Sequence, residues 1–332
     1  MQSFLFSQTP QIHFGEGKFS TLPDLVSSRG RRVLLVTGHA SFASSSYCSP
    51  FLDDLKARGV HCEHVSVKGE PGPDWVDRTV QCYRREEISL VVSIGGGSAI
   101  DAGKAICAML PQETSVWDYL EGIGQGKHDG RKTPFIAVPT TFGTGSEASK
   151  NAVLSVVGPQ GFKRSIRHER FIPDVALIDP ILSLGCPPQI TAACGLDAFT
   201  QLLESYLSPK SNPITDAIAW SGLQHVQKGL ESSCKDANDL EARSHMAYAS
   251  LVSGITLANA GLGIVHGLAS VLGGMFEIPH GVICGTLLAP ATRMNIRTLK
   301  KRGGPKAGPF LQKYARVGAL LEIGRASCRE RV

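Results

Sequence analysis

A chain of 332 residues with 34 Lys and Arg against 29 Asp and Glu carries a formal charge of +5, and its 42% hydrophobic and 19% charged content is that of a soluble globular protein. Collagen-like and disordered classes are excluded, and the length accommodates two domains of roughly 100–200 residues each. The basic residues form no stripe or tail, since the densest stretches, 29–32 and 300–302, are short and far apart, so no nucleic-acid partner is expected.

In chain order, residues 32–37 (RVLLVT) read as a short apolar strand, and the spacing through 52–57 as a helix. The alternation repeats with a strand over 59–67, a helix over 75–87, a strand over 89–94 and a helix over 99–110. Strands follow at 133–138 and 176–178, the second closed by the turn Asp179-Pro180. Strands alternating with helices predict a parallel, doubly wound α/β sheet. Beyond Pro187-Pro188 the texture changes: 190–207, 215–230, 240–260, 263–274 and 310–321 carry helical periodicity with little β-branched alternation. The chain therefore divides into an α/β domain over 1–182 and an all-α domain over 183–321, with a ligand-favouring cleft between them.

Nine scattered cysteines with no CxxC pair read as reduced thiols of a cytoplasmic chain, and the N-terminus shows no basic region or cleavage site of a secretory signal. The stretch 254–276 is long and apolar enough to span a bilayer, yet it carries His266 and many small residues, so it reads as a buried helix and no membrane partner is expected. The last eleven residues, 322–332 (EIGRASCRERV), read as the translation of a short-read sequencing adapter, which predicts a truncated chain. The alternative is a natural basic tail on a helix.

Two glycine loops follow apolar strands. In Gly95-Gly96-Gly97-Ser98, which leads to Asp101, backbone N–H groups at a helix start can approach a phosphate unobstructed, and the helix dipole favours the anion. Alone, the same residues make an ordinary strand-to-helix turn. Residues 139–147 supply a second loop, where the hydroxyls of Thr140, Thr141, Thr144 and Ser146 add donors; two such loops at strand ends of one sheet predict a dinucleotide. In the helical half, Asp197 and Gln201 lie four apart on one helix face, and His266 and His280 are separated by a Gly-rich segment. One carboxylate, two imidazoles and an amide oxygen make a mixed N/O set suited to iron, zinc or nickel. Taken singly, His266 also reads as a packed core histidine and Asp197 as a helix-start residue.

These motifs together resemble the iron-containing (group III) alcohol dehydrogenases. The resemblance covers essentially all of 1–321 and rests on Ile12-His13-Phe14-Gly15-Glu16-Gly17, the Gly69-Glu70-Pro71 turn, the 95–98 loop with Asp101 and Lys104, and Pro139 to Glu147. It continues through 173–180 (PDVALIDP), Gly195-Leu196-Asp197-Ala198, His266 and Pro279-His280-Gly281. It implies a dehydroquinate-synthase-like fold with a Rossmann-like nucleotide domain and a helical metal domain. The implied reaction is hydride transfer between NAD or NADP and a small alcohol or aldehyde, in a homodimer. On this resemblance Gly38, Gly95, Gly96, Gly97, Ser98, Asp101, Thr140, Thr141, Thr144 and Ser146 face the cofactor. Asp197, Gln201, His266 and His280 hold Fe2+ or Zn2+, and Asp197, His266, His280 and Ser270 are the catalytic set.

Three departures from the family pattern stand out. Gln201 replaces the histidine that usually serves as second metal ligand, Ser270 replaces a histidine that lines many members' sites, and members usually extend further at the C-terminus. The early strand ends Val36-Thr37-Gly38-His39 with no acid to bind a ribose 2′-OH, a lean toward NADPH; Gly38 also reads simply as a turn residue. Competing readings are a metal-independent reductase similar to the maleylacetate reductases, a nucleotide-binding but inactive fragment, and a dehydroquinate-synthase-like lyase.

Overall fold

The computed structural model describes residues 3–305 and 307–329, without the side chains of 322–329; the expected adapter-derived tail, 322–332, lies outside the described side chains. The first half runs β1 (Gln11–Phe14), α1 (Leu22–Ser27), β2 (Arg32–Gly38), α2 (Cys48–Ala57), β3 (His61–Val67), α3 (Pro73–Tyr83), β4 (Leu90–Gly95), α4 (Gly97–Met109), β5 (Phe135–Pro139), β6 (Asn151–Val156), β7 (Phe162–Arg167) and β8 (Val175–Ile178). Six strands form one sheet in the order β1-β8-β5-β4-β2-β3, with every pairing parallel.

Both faces of that sheet are covered, and the strands show it residue by residue. Leu34, Val36, Val91, Phe135 and Ala137 point to the side packed by α3 and α4 through Val76, Val80, Ile100 and Ile106. Their neighbours Val33, Leu35, Leu90, Val92, Ile136 and Val138 point the other way, onto Leu22, Val26, Phe51 and Leu55 of α1 and α2. Burial on both faces is why β4, β5 and β8 read as continuous apolar runs rather than alternating ones. Helix α4 is buried at every residue from Ala99 to Met109, because an antiparallel hairpin, β6 against β7, closes over it.

From residue 188 onward the regular elements are helices: α5 (Pro188–Tyr206), α6 (Pro213–Lys235), α7 (Leu240–Ala260), α8 (Ile264–Met275), α9 (His280–Arg302) and α10 (Ala307–Arg329). Their core gathers Leu202, Leu203, Leu223, Val226, Met246 and Leu251. Asn212 caps α6 in a reciprocal box with Thr215, and the Asp239 side chain accepts from the Ala242 N–H to start α7. Among the described residues no single helix is long and apolar enough to cross a membrane; the apolar stretch 254–276 is broken between α7 and α8, which bend by 101°. Gly261, at φ 70°, ends α7 there.

Five elements lie outside the sequence expectation: edge strand β1, short and largely exposed, helix α1, the two strands of the β6–β7 hairpin, the second of them basic (FKRSIR), and the long helix α9, which begins at His280. The helix expected over 75–87 stops at Tyr83, ahead of a polar turn in which Glu87 has φ 49°. The two halves meet backbone to backbone at Gly161 with Gly274, where a Cβ on Gly161 would fall 2.1 Å from the Gly274 carbonyl oxygen, and at Gly145 with Gly254. A Cβ on Gly254 of α7 would fall 2.0 Å from the Gly145 carbonyl oxygen, and one on Gly145, at φ +60°, 2.4 Å from the Gly254 nitrogen.

Candidate active site

The C-terminal ends of β4 and β5 open toward α5, α8 and α9, and the space between is a cavity of about 280 Å³. Its α/β wall includes Gly97, Ser98, Asp101, Thr144 and Ser146, and its helical wall Asp197, Gln201, His266, Ser270 and His280. Gly38, Gly95, Gly96, Thr140 and Thr141 stand behind the first wall. The Thr140 N–H donates to the Gly95 carbonyl at 2.9 Å, and a Cβ on Gly95 would meet the Gly38 nitrogen at 3.2 Å.

Glycine lets the two loops touch. A Cβ on Gly96 would lie 2.9 Å from Thr141 Oγ1, and one on Gly97 2.7 Å from both Thr144 Cγ2 and Oγ1. Gly96 caps α4 with no side-chain hydrogen bond, so the first turn of the helix presents its dipole and backbone N–H groups to the cavity, a fit for phosphate. Beneath the loops, fully buried Lys104 donates to the Ser146 carbonyl (2.6 Å), Ser146 Oγ (3.0 Å), Ser149 Oγ (3.1 Å) and the Asn151 carbonyl (2.8 Å). Burial pushes its pKa down to about 8 against the pull of Asp101 and Glu147. Asp101 accepts from the Ser146 hydroxyl, so both side chains are engaged in fixing the second loop to α4.

On the opposite wall four side chains converge from three helices. His266 Nε2 lies 3.2 Å from Asp197 Oδ1 and His280 Nε2 3.7 Å from the same oxygen. The thiol sulfur of Cys284 lies 3.8 Å from His266 Nε2 and 3.7 Å from His280 Nε2. Glu204, one face of α5 further on, accepts from His266 Nδ1 at 2.7 Å and from the Val265 N–H at 2.7 Å. This fixes the imidazole so that Nε2 faces the cluster. Gln201 hydrogen-bonds the Asp197 carboxylate, and its Oε1 accepts from the Ser253 hydroxyl at 3.2 Å. Since an ionised carboxylate only accepts, the Gln201 amide nitrogen is the donor to Asp197. The Ser270 hydroxyl donates to the His266 carbonyl at 2.9 Å. Sequence reasoning missed Glu204 and Cys284; the spacing of Cys284 four residues after His280 on one helix is the signal that marks it.

Electrostatics follow from this packing. Burial alone would raise the Asp197 carboxyl, but His280 and His266 with the Gln201 hydrogen bond hold it at about 2. Burial likewise opposes the His266 imidazolium, yet Asp197, Cys284 and Glu204 around it push its pKa well above the ordinary histidine value. Burial lowers His280 and raises the Cys284 thiol. At the mouth, Lys163 of β7 pairs with Glu70, and Arg167 pairs with Glu121 at 3.1 Å.

Two family models match the chain: "Iron-containing alcohol dehydrogenase" over residues 9–180, and "Fe-containing alcohol dehydrogenase family, C-terminal" over residues 191–323. Alcohol dehydrogenase 4 of Saccharomyces cerevisiae (strain YJM789) is 35% identical over 306 residues, 91% of this chain and 78% of the yeast protein. The 1,3-propanediol dehydrogenase of Klebsiella pneumoniae is 38% identical over 269 residues, 80% of this chain and 68% of that protein. The crystal structure of sulfoacetaldehyde reductase from Bifidobacterium kashiwanohense in complex with NAD+ superposes with a TM-score of 0.81 at 28% identity, covering 96% of this chain and 87% of that one.

Proposed function

The chain belongs to the iron-containing alcohol dehydrogenase family and is an alcohol oxidoreductase, and we propose that its 280 Å³ cavity is where a small neutral alcohol or aldehyde meets a nicotinamide. The α/β domain, 1–182, would hold the nucleotide, and the helical domain, 183–321, the metal. The observation that carries this reading is that Asp197, His266 and His280 converge directly across one cavity from the Gly97-Ser98 helix start.

The donor set fits a divalent ion. Around an ion with bonds of about 2.0 Å to nitrogen and oxygen, tetrahedral N–O edges are about 3.3 Å, against 3.2 and 3.7 Å between Asp197 Oδ1 and the two imidazoles. Asp197, His266 and His280 would hold the ion, with Gln201 steadying Asp197. When bound, the ion supplies Lewis-acid polarisation of the substrate oxygen, and the nicotinamide supplies or accepts the hydride. Gly95, Gly96, Gly97 and Ser98, at the start of α4, would bind the pyrophosphate. Thr140, Thr141, Thr144 and Ser146, the last held in place by Lys104, would orient the remainder of the nucleotide, with Gly38 beside them. Ser270 lines the substrate side, but its hydroxyl is committed to the His266 carbonyl, so protonation of the alkoxide falls to water or a ribose hydroxyl.

Two finer assignments have local support. β2 ends in Gly38 and an exposed His39, with no acid to repel a 2′-phosphate, which favours NADPH. The cavity cations Lys163 and Arg167 each face a carboxylate partner, which favours a neutral substrate over an anionic one. The eight cysteines whose side chains are described are free thiols, the state a reducing cytoplasm maintains. The homodimer comes from the family resemblance and is tested by sedimentation.

The test is oxidation of NADH and NADPH with an aldehyde panel, before and after chelation and with iron or zinc restored. Activity lost on chelation and regained with metal supports the assignment. Turnover indifferent to metal overturns the metal part and favours the metal-independent reductase reading, for which the turned-away amide oxygen of Gln201 is the structural argument.

A further inference from the structure

A catalytic divalent ion needs at least three protein donors, and a fourth tightens the hold while still allowing a substrate oxygen to join by expansion to five-coordinate. Gln201, one helical turn after Asp197, is turned to other partners: its oxygen accepts from Ser253 and its nitrogen donates to Asp197. The thiol of Cys284 stands at the open corner. It lies one turn past His280 on α9, is fully buried, and the ligand atoms of Asp197, His266, His280 and Cys284 all fall within 4.8 Å of one another.

The two sulfur–nitrogen edges are close to those of one ion. With metal–nitrogen bonds of about 2.0 Å and a metal–sulfur bond of about 2.3 Å, a tetrahedral centre has S–N edges of about 3.5 Å. The observed Cys284 edges are 3.7 Å to His280 and 3.8 Å to His266. A cysteine serving only as apolar filler, as its contacts with Val265, Ala269 and Ile283 would allow, has no need to aim its sulfur between two imidazole Nε2 atoms.

Resting on the metal reading above, we infer that Cys284 is the fourth protein ligand of the centre in place of Gln201, which makes the site a two-nitrogen, one-oxygen, one-sulfur centre suited to zinc over ferrous iron. On binding, the metal–sulfur bond forms, the S–H bond breaks and the proton leaves to solvent, with no change of oxidation state. Thiolate is a soft donor that zinc accepts readily, and zinc lies above ferrous iron in the order of divalent affinities.

The test uses the purified full chain loaded with zinc or cobalt. Zinc X-ray absorption is expected to show one sulfur at about 2.3 Å, and the cobalt form a near-ultraviolet thiolate-to-cobalt charge-transfer band. Cys284→Ser is expected to abolish both and to weaken zinc binding about tenfold or more in chelator competition. Gln201→His in that background is expected to recover affinity without the sulfur signal. One bound zinc with only nitrogen and oxygen neighbours overturns the assignment of Cys284 and leaves the metal reading standing. A protein that takes up neither zinc, iron nor cobalt overturns both. Should Cys284→Ser fail to fold, the spectra of the unaltered protein decide alone.

Discussion

Replacing Glu204 by glutamine tests whether this carboxylate tunes the metal centre. The side chain is nearly buried and accepts from His266 Nδ1 (2.7 Å), the Val265 N–H (2.7 Å) and the His266 N–H (3.4 Å). Glutamine keeps the shape and one accepting oxygen but loses the charge, and its NH2 group, standing where Oε1 was, leaves the Val265 N–H without an acceptor, a cost of about 1–3 kcal/mol. The short bond to His266 drops from a charged to a neutral hydrogen bond, about 1–1.5 kcal/mol, and the first turn of α8 loses an anion worth about 0.3–1 kcal/mol. Stability without metal should therefore fall by about 2–5 kcal/mol, read as a shifted denaturant midpoint. Metal affinity should fall about 10–100-fold, but that loss depends on pH. In the metal-free protein Asp197, Cys284 and Glu204 hold a proton on His266 that the ion must displace. Without the Glu204 charge that proton leaves more easily, which partly compensates the variant in neutral and acidic buffer. Chelator competition should show the full difference in alkaline buffer and a narrower one as pH falls. Affinity unchanged in alkaline buffer, or a gap that widens on acidification, refutes the reasoning.

Two further predictions follow from contacts away from the metal ligands. Gly97→Ala places a Cβ 2.7 Å from Thr144 Cγ2 and Oγ1, and overpacking of about 1–3 kcal/mol falling on the loop pair weakens nucleotide binding roughly 5- to 150-fold. Adding Thr144→Ala removes both clashing atoms and should restore much of the affinity in a fluorescence titration; unaltered binding by the single variant places the nucleotide elsewhere. His128 stacks edge-on against Phe171 with centroids 4.7 Å apart, donates Nε2–H to the Ala108 carbonyl (3.1 Å) and accepts the Gly130 N–H at Nδ1 (2.9 Å). The neutral ring thus uses both nitrogens, and burial lowers its pKa below 6.5. The unfolded chain binds the extra proton first, so this contribution is present at neutral pH and lost as pH falls through the ordinary histidine range. Denaturant midpoints at about pH 7.5 and about pH 5.5 should differ less in His128→Asn than in the parent; equal differences contradict the assignment.

The central strands were legible because the sheet is covered twice: β4, β5 and β8 have no solvent face, so their sequences are apolar save for the buried Ser93 of β4. The β6–β7 hairpin was not legible for the opposite reason. Its second strand packs on α8 and leaves Lys163, Arg164 and Arg167 outward or at the cavity mouth, a pattern that reads as loop. At the site, glycine loops and isolated histidines are rare enough to stand out from the chain. Glu204 and Cys284 are not, because a glutamate late in a helix and a cysteine in an apolar helix are ordinary residues. Their importance comes from distances between α5, α8 and α9, bridging 62 residues for Glu204 and His266 and 18 for His266 and Cys284, which no local pattern encodes.

The side chains that would hold the metal come from three helices, while the loops suited to the nucleotide belong entirely to the sheet. What sets the distance between them is a pair of backbone contacts, Gly145 with Gly254 and Gly161 with Gly274, where no side chain can deform to absorb a shift. The consequence is a division of labour. Glu204 and Cys284 act on the metal from within the helical half, and Lys104 acts on the loop shape from within the α/β half. Each binding event can then be perturbed nearly alone, whereas hydride transfer, which needs both partners within reacting distance, answers to the junction between the halves.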